Sequence, residues 1–138
     1  MRIRISLCAV LVACVVVAVL PGGAQNPDST LKTIDISAKK YEFTPSEIHV
    51  KAGEHVRLTV HSVDETHGIK LTLYPEGSKD KTIVGLKFDH PEDNGKVEKN
   101  VDQVLDFIAE KPGTYEFQCA KVCGMHHGKM KGQVIVEE

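Results

Sequence analysis

Thr114-Tyr115-Glu116-Phe117-Gln118-Cys119-Ala120-Lys121-Val122-Cys123-Gly124-Met125-His126-His127-Gly128-Lys129-Met130-Lys131-Gly132-Gln133-Val134-Ile135-Val136 is the most informative stretch of the 138-residue chain. Its first part places Tyr115, Phe117 and Cys119 on one face, and its last part does the same with Val134 and Val136. Successive strand side chains point to opposite faces, so each part reads as a strand with one buried side. The residues from Cys119 to Met130 follow neither the strand nor the helix period and read as the loop between the two strands.

The same alternation recurs upstream. Ile34 and Ile36 flank Asp35, Ile48 and Val50 flank His49, and Val56, Leu58 and Val60 share a face opposite Arg57, Thr59 and His61. Ile69, Leu71 and Leu73 continue it. Turn signals such as Ala52-Gly53 and Lys111-Pro112-Gly113 bound the runs, and no segment shows a capped helical period. The expectation is an all-β, antiparallel Greek-key sandwich with the 119–130 loop at one end. Pro75 to Asn100 is polar; it predicts one short strand near Thr82–Phe88 and a long loop, with Ile83, Val84, Leu86, Phe88 and Val97 as its only anchors.

The first 24 residues belong to a different reading. Arg2 and Arg4 precede an apolar run from Ile3 to Leu20, and Pro21-Gly22-Gly23-Ala24 offers small residues for a cut after Ala24. This is the pattern of a secretory signal. Leu11-Val12-Ala13-Cys14 also resembles a lipobox, and the run just reaches the length of an uncleaved anchor. Cleavage, lipid attachment and anchoring all export the remainder, to a bacterial periplasm or the outer face of the cytoplasmic membrane. The expected organisation is 1–24 signal peptide or membrane anchor, 25–31 linker and 32–138 one domain. Removing 1–24 takes away two arginines and no acid, which moves the formal charge from −2 to −4. A strongly basic nucleic-acid binder is excluded.

Cys8 and Cys14 fall in that segment, so Cys119 and Cys123 are the domain's thiols. In an oxidising compartment they are candidates for a disulfide. Two thiols, two imidazoles and two thioethers within one loop point elsewhere. Thiolate and thioether with imidazole favour copper over magnesium, calcium or manganese; zinc has no use for a thioether, and iron–sulfur clusters generally want four cysteines.

Cys119, Cys123, His127 and Met130 form C-x3-C-x3-H-x2-M, with Gly124 after the second Cys. This resembles the binuclear copper A (CuA) site of cytochrome c oxidase subunit II and of nitrous oxide reductase, which is built on a cupredoxin fold. The family draws one more His from an upstream strand end, and His67, in Thr66-His67-Gly68 before Ile69, matches that position. The resemblance implies that Cys119 and Cys123 bridge two coppers as thiolates, and that His67 and His127 each cap one. It makes Met130 one weak ligand and the carbonyl of Lys121 the other. It covers roughly Thr33 to Val136. The chain departs from the family in carrying Lys121 where Glu is usual, in having no Trp, and in lacking the usual pair of membrane helices.

With every ligand position filled, such a centre has no open site for a substrate and carries electrons rather than catalysing a reaction. Two alternatives stay open: a mononuclear blue-copper protein using His67, Cys123, His127 and Met130, and a periplasmic copper-delivery protein. The implied partners are a redox protein such as cytochrome c and an integral-membrane oxidase subunit. Net charge favours a partner with a basic face. His126 is expected at the surface, Met125 at a packing or partner contact, and His49, His55, His61 and His90 without a role in the site.

Overall fold

The computed structural model describes residues 30–138. The signal or anchor segment and most of the 25–31 linker lie outside the described residues. Nine strands follow in order: β1 (Lys32–Lys39), β2 (Glu42–Thr44), β3 (Glu47–Lys51), β4 (His55–Ser62), β5 (Ile69–Leu71), β6 (Leu86–Phe88), β7 (Gln103–Ala109), β8 (Gly113–Cys119) and β9 (Lys131–Glu137). They form a five-stranded sheet in the order β2-β1-β4-β7-β6 and a four-stranded sheet in the order β3-β9-β8-β5. Among the described residues no helix is long and apolar enough to cross a membrane.

The all-β sandwich is as expected, with a correction to its pairing. Both sheets are mixed, because β1 runs parallel to β4 and β3 parallel to β9. The expected strand near Thr82–Phe88 shrinks to Leu86–Phe88; Ile83 and Val84 are exposed, and Leu86 and Phe88 alone of that run enter the core. Two strands escaped the periodicity: β2, only three residues long, and β7. The β7 sequence Gln-Val-Leu-Asp-Phe-Ile-Ala blurs the alternation because apolar residues stand side by side on both faces. Leu105, Phe107 and Ala109 point inward, while Val104 is exposed.

The inward faces of the two sheets meet in one core. Ile36, Leu58, Val60, Leu105 and Phe107 face Ile69, Tyr115, Phe117 and Val134 across it. Phe43 on β2 crosses to Phe117 on β8 edge to face, with centroids 5.3 Å apart. The strand directions gather four connections at one end. β1 and β4 finish there, β7 starts there, and β8 delivers Cys119 opposite Ile69, the first residue of β5.

β5 is a short outermost strand whose free edge is covered by two amide side chains. Ile69 N–H donates to Gln103 Oε1 (2.6 Å) and Gln103 Nε2 donates back to Ile69 O (2.9 Å). Asn94 does the same for Leu71, at 2.8 and 3.0 Å. Asn94 of the polar 75–100 excursion and Gln103 of β7 thus satisfy backbone groups that a missing neighbour strand would leave open. Gln103 also links β7 in one sheet to β5 in the other, just behind His67.

The surface histidines expected to have no role in the site are paired with carboxylates. His49 meets Glu137 (2.8 Å) and Glu47 (2.9 Å), His55 meets Asp89 (2.8 Å), and His61 meets Asp102 (2.8 Å) and Asp35 (3.4 Å). His90 lies 3.4 Å from Glu92. Hydrogen bonding to Asp102, with a smaller contribution from Asp35, raises the pKa of His61. A raised folded-state pKa stabilises fully below the unfolded value of about 6.5 and is lost as pH climbs through the folded value. The urea midpoint difference between wild type and His61→Gln is therefore larger at about pH 5.5 than at about pH 8.5. An equal difference at both would show that the pairing contributes nothing.

Candidate metal centre

The base of the 119–130 loop is closed by backbone. Cys119 N–H donates to Met130 O (3.0 Å), and Ala120 N–H donates to Gly68 O (2.9 Å). The first bond joins the two ends of the loop, and the second ties it to the segment that carries His67. Within the loop His127 N–H donates to Gly124 O (3.1 Å), and Met130 N–H donates to His127 O (3.0 Å) around a short 3-10 turn at His127–Lys129. Gly124 has φ +133°, and a Cβ there would meet the Tyr41 hydroxyl. Only glycine suits both conditions.

The structure brings together all six residues expected in the site. Cys119 Sγ and Cys123 Sγ are 3.9 Å apart, and both thiols are free. The disulfide reading is therefore not what this structure contains. Cys119 Sγ lies 3.9 Å from His67 Nδ1 and 3.0 Å from the Lys121 carbonyl oxygen, to which it donates. Cys123 Sγ lies 3.8 Å from His127 Nδ1 and 3.8 Å from Met130 Sδ. His67, Cys119, Cys123 and Met130 are buried, while His127 is half-buried at the rim. Burial, followed by the neighbouring Cys119 sulfur, pushes the Cys123 thiol up to about 11.

The donor set fits a soft or borderline metal. Metal–sulfur bonds of about 2.3 Å and metal–nitrogen bonds of about 2.0 Å place adjacent donors of a tetrahedral centre about 3.5–3.8 Å apart. The observed sulfur–sulfur separation of 3.9 Å and sulfur–nitrogen separations of 3.9 and 3.8 Å lie at or up to about 0.4 Å above that spacing. Among the described residues, His67, Cys119 and Cys123 form the group whose donor atoms all lie close enough to share an ion.

Three contributors were not expected from the sequence. Asp64 Oδ1 accepts from His67 Nε2 at 2.7 Å, which makes Nε2 the protonated nitrogen and leaves the Nδ1 lone pair facing the sulfurs. Asp64 itself is held by the N–H groups of Lys40 (3.0 Å) and Glu65 (2.8 Å). The Lys40 N–H is the main cause of its carboxyl lying far below the usual range, with the His67 bond contributing after it. Ser62 Oγ accepts from His67 N–H at 2.9 Å. Tyr41 packs edge-on against His126, with centroids 5.2 Å apart. An acid three residues before a candidate ligand is a legible signal for Asp64. Tyr41 has none, since it lies in a distant turn.

The model of the cupredoxin-like domain matches residues 8–136. The chain belongs to the cupredoxin-like family. It is accordingly a copper-binding, electron-transfer type of domain. Cytochrome c oxidase subunit 2 of Thermostichus vulcanus is 30% identical over 90 residues, covering 65% of this chain and 22% of that protein. The chain thus spans about a fifth of the curated relative that it matches. A heme-copper terminal oxidase dimer solved by cryo-EM contains a chain that superposes with TM-score 0.52 at 23% identity, covering 77% of this chain and 65% of that one. Auracyanin A, a "blue" copper protein from Chloroflexus aurantiacus, superposes with TM-score 0.56 at 20% identity over 78% of this chain and 99% of that one. These two likenesses concern the cupredoxin fold.

The Asp64 bond predicts a measurable loss in this cupredoxin domain. Partners that orient a metal-bound His typically carry about 10–100-fold in affinity. Asp64→Ala should weaken copper binding by about that factor in a chelator competition, with far-ultraviolet circular dichroism unchanged. Unaltered affinity would mean that His67 needs no external orientation.

Proposed function

We propose that the domain carries a binuclear copper centre of the CuA type and passes single electrons between redox proteins. The observation that supports this reading most is the pairing of donors. The two unbonded sulfurs each have their own imidazole and their own weaker donor, His67 and the Lys121 carbonyl beside Cys119, His127 and Met130 beside Cys123. A mononuclear blue-copper site built on one of the sulfurs leaves the other cysteine, with its own imidazole and weaker donor, without a task. When bound, the copper pair supplies a one-electron couple shared by two metals and two thiolates, so that little bond rearrangement opposes transfer.

The chain's own residues hold that centre rigid and dry. Cys119 is anchored by a strand end, His67 by Asp64 and Ser62, and Met130 closes the floor with no exposed surface. Buried sulfur donors exchange metal slowly, which favours an electron carrier over a copper-delivery protein. His127, half-buried at the rim with Nδ1 3.8 Å from Cys123 Sγ, is the candidate side-chain ligand nearest the solvent. Export, association with an integral-membrane oxidase subunit and exchange with a c-type cytochrome complete the proposal. They follow from the apolar segment before residue 24 and from the resemblance to the oxidase subunit.

Elemental analysis of the loaded domain should give two coppers per chain. Cys119→Ser and Cys123→Ser should each lose the paired centre as a unit, since either sulfur serves both metals. A single copper at saturation, retained in Cys119→Ser, would establish the mononuclear alternative instead.

A further inference from the structure

The four connections at the metal end set a local charge that differs in sign from the whole chain. Val122 is 78% exposed and Met125 98% exposed, and both stand on the loop that holds the candidate ligands. Val63 and Val101 are exposed on the neighbouring connections. Lys99 and Lys121 line one depression with Thr66, next to His67, and Lys129 follows on the same loop as Met125. Among the described residues none of these three lysines makes an ion pair. Of the carboxylates at this end, Glu65 is paired with Lys40 at 2.8 Å, Glu98 with Lys96 at 2.9 Å and Asp102 with His61. Asp64 is bonded to a His67 ring whose Nδ1 lone pair faces the sulfurs and so keeps its negative charge, and Glu42, opposite Lys39 where β1 ends, has no ion-pair partner among the described residues. The centre of the surface is apolar, and around the ligand loop the unpaired Lys99, Lys121 and Lys129 outnumber the uncompensated carboxylates Asp64 and Glu42.

We infer that this end docks an acidic redox protein, one whose own electron-transfer site is apolar and ringed by Asp or Glu. The inference rests on the proposed function, because electrons must cross where His127 approaches the surface. It replaces the basic partner suggested by net charge. Steering acts through the field at the contact, and at physiological salt charges more than about 8 Å away are largely screened. The excess of acids elsewhere on the domain therefore matters less than Lys99, Lys121 and Lys129. Exposed apolar residues at the middle of a charged rim are the usual composition of a contact surface.

The test uses the copper-loaded domain with two c-type cytochromes as probes, one acidic and one basic, in stopped-flow mixing. Electron exchange with the acidic probe should slow about tenfold as salt rises from about 10 to about 300 mM, and the basic probe should show no such loss. Lys99→Glu should weaken that dependence strongly, and Lys99→Glu with Lys129→Glu should abolish it. Lys87→Glu, on β6 away from this end, makes the same change in net charge and should leave it intact. Equal effects of Lys87→Glu and Lys99→Glu, or faster exchange with the basic probe, would overturn the inference. So would equal binding of the domain to anionic phosphatidylglycerol vesicles, which would make the surface a membrane contact. Amide NMR of the copper-free domain reads docking separately. Shifts centred on Val122, Met125 and Lys99 with the acidic probe, but no electron exchange, would support the surface and contradict the proposed function.

Discussion

The two hydrogen bonds at the base of the ligand loop, Cys119 N–H to Met130 O and Ala120 N–H to Gly68 O, decide where every donor lies. Neither involves a side chain. The first makes the loop an extension of the β8–β9 hairpin, so that Cys119 and Met130 face each other across it. The second registers the segment before β5 against that hairpin and sets His67 beside the sulfurs. Loss of either would separate donors that stand far apart in sequence, because His67 reaches Cys119 only through the pairing of Ile69 with Cys119.

That constraint is only as firm as β5, a three-residue strand at a sheet edge. Gln103 and Asn94 hold it by completing its backbone hydrogen bonds, and Gln103 does so from the opposite sheet. The long polar excursion between β5 and β7, which carries no catalytic groups, thus acts on the site indirectly. Gly68 packs closely under Val97 in the same region, leaving no space for a side chain. Rigidity at the centre comes from this covering together with the core beneath, where Tyr115 and Phe117 are fully buried. Rigid surroundings suit electron transfer because they limit the rearrangement that accompanies each redox change.

Much of this was readable from residue order. Alternation revealed β1, β3, β4, β8 and β9, since each buries one face only. It missed β2, which is too short to show a period, and β7, where Val104 and Ile108 keep apolar side chains on the outward face, and it could not anticipate the parallel pairings, which depend on which strands become neighbours. Four candidate donors were legible because they share one loop at fixed spacing, and His67 was legible through resemblance, as the histidine before a strand that the family's pattern asks for. Lys121 was legible in the same way, as a backbone carbonyl leaves no trace in residue type. The covering contacts of Tyr41 and Gln103 were not legible, because they are made by residues distant in sequence with no distinctive pattern. Net charge by itself says little about any one contact surface, because it sums residues that ion pairs and folding place far from the loop.

The central claim is that Cys119 and Cys123 join two metals into one redox centre. Electron spin resonance of the copper-loaded, oxidised domain tests it most directly, because the hyperfine pattern counts the nuclei that share the unpaired electron. The account predicts the pattern of one electron spread equally over two copper nuclei. A pattern from a single copper nucleus at full loading would contradict it.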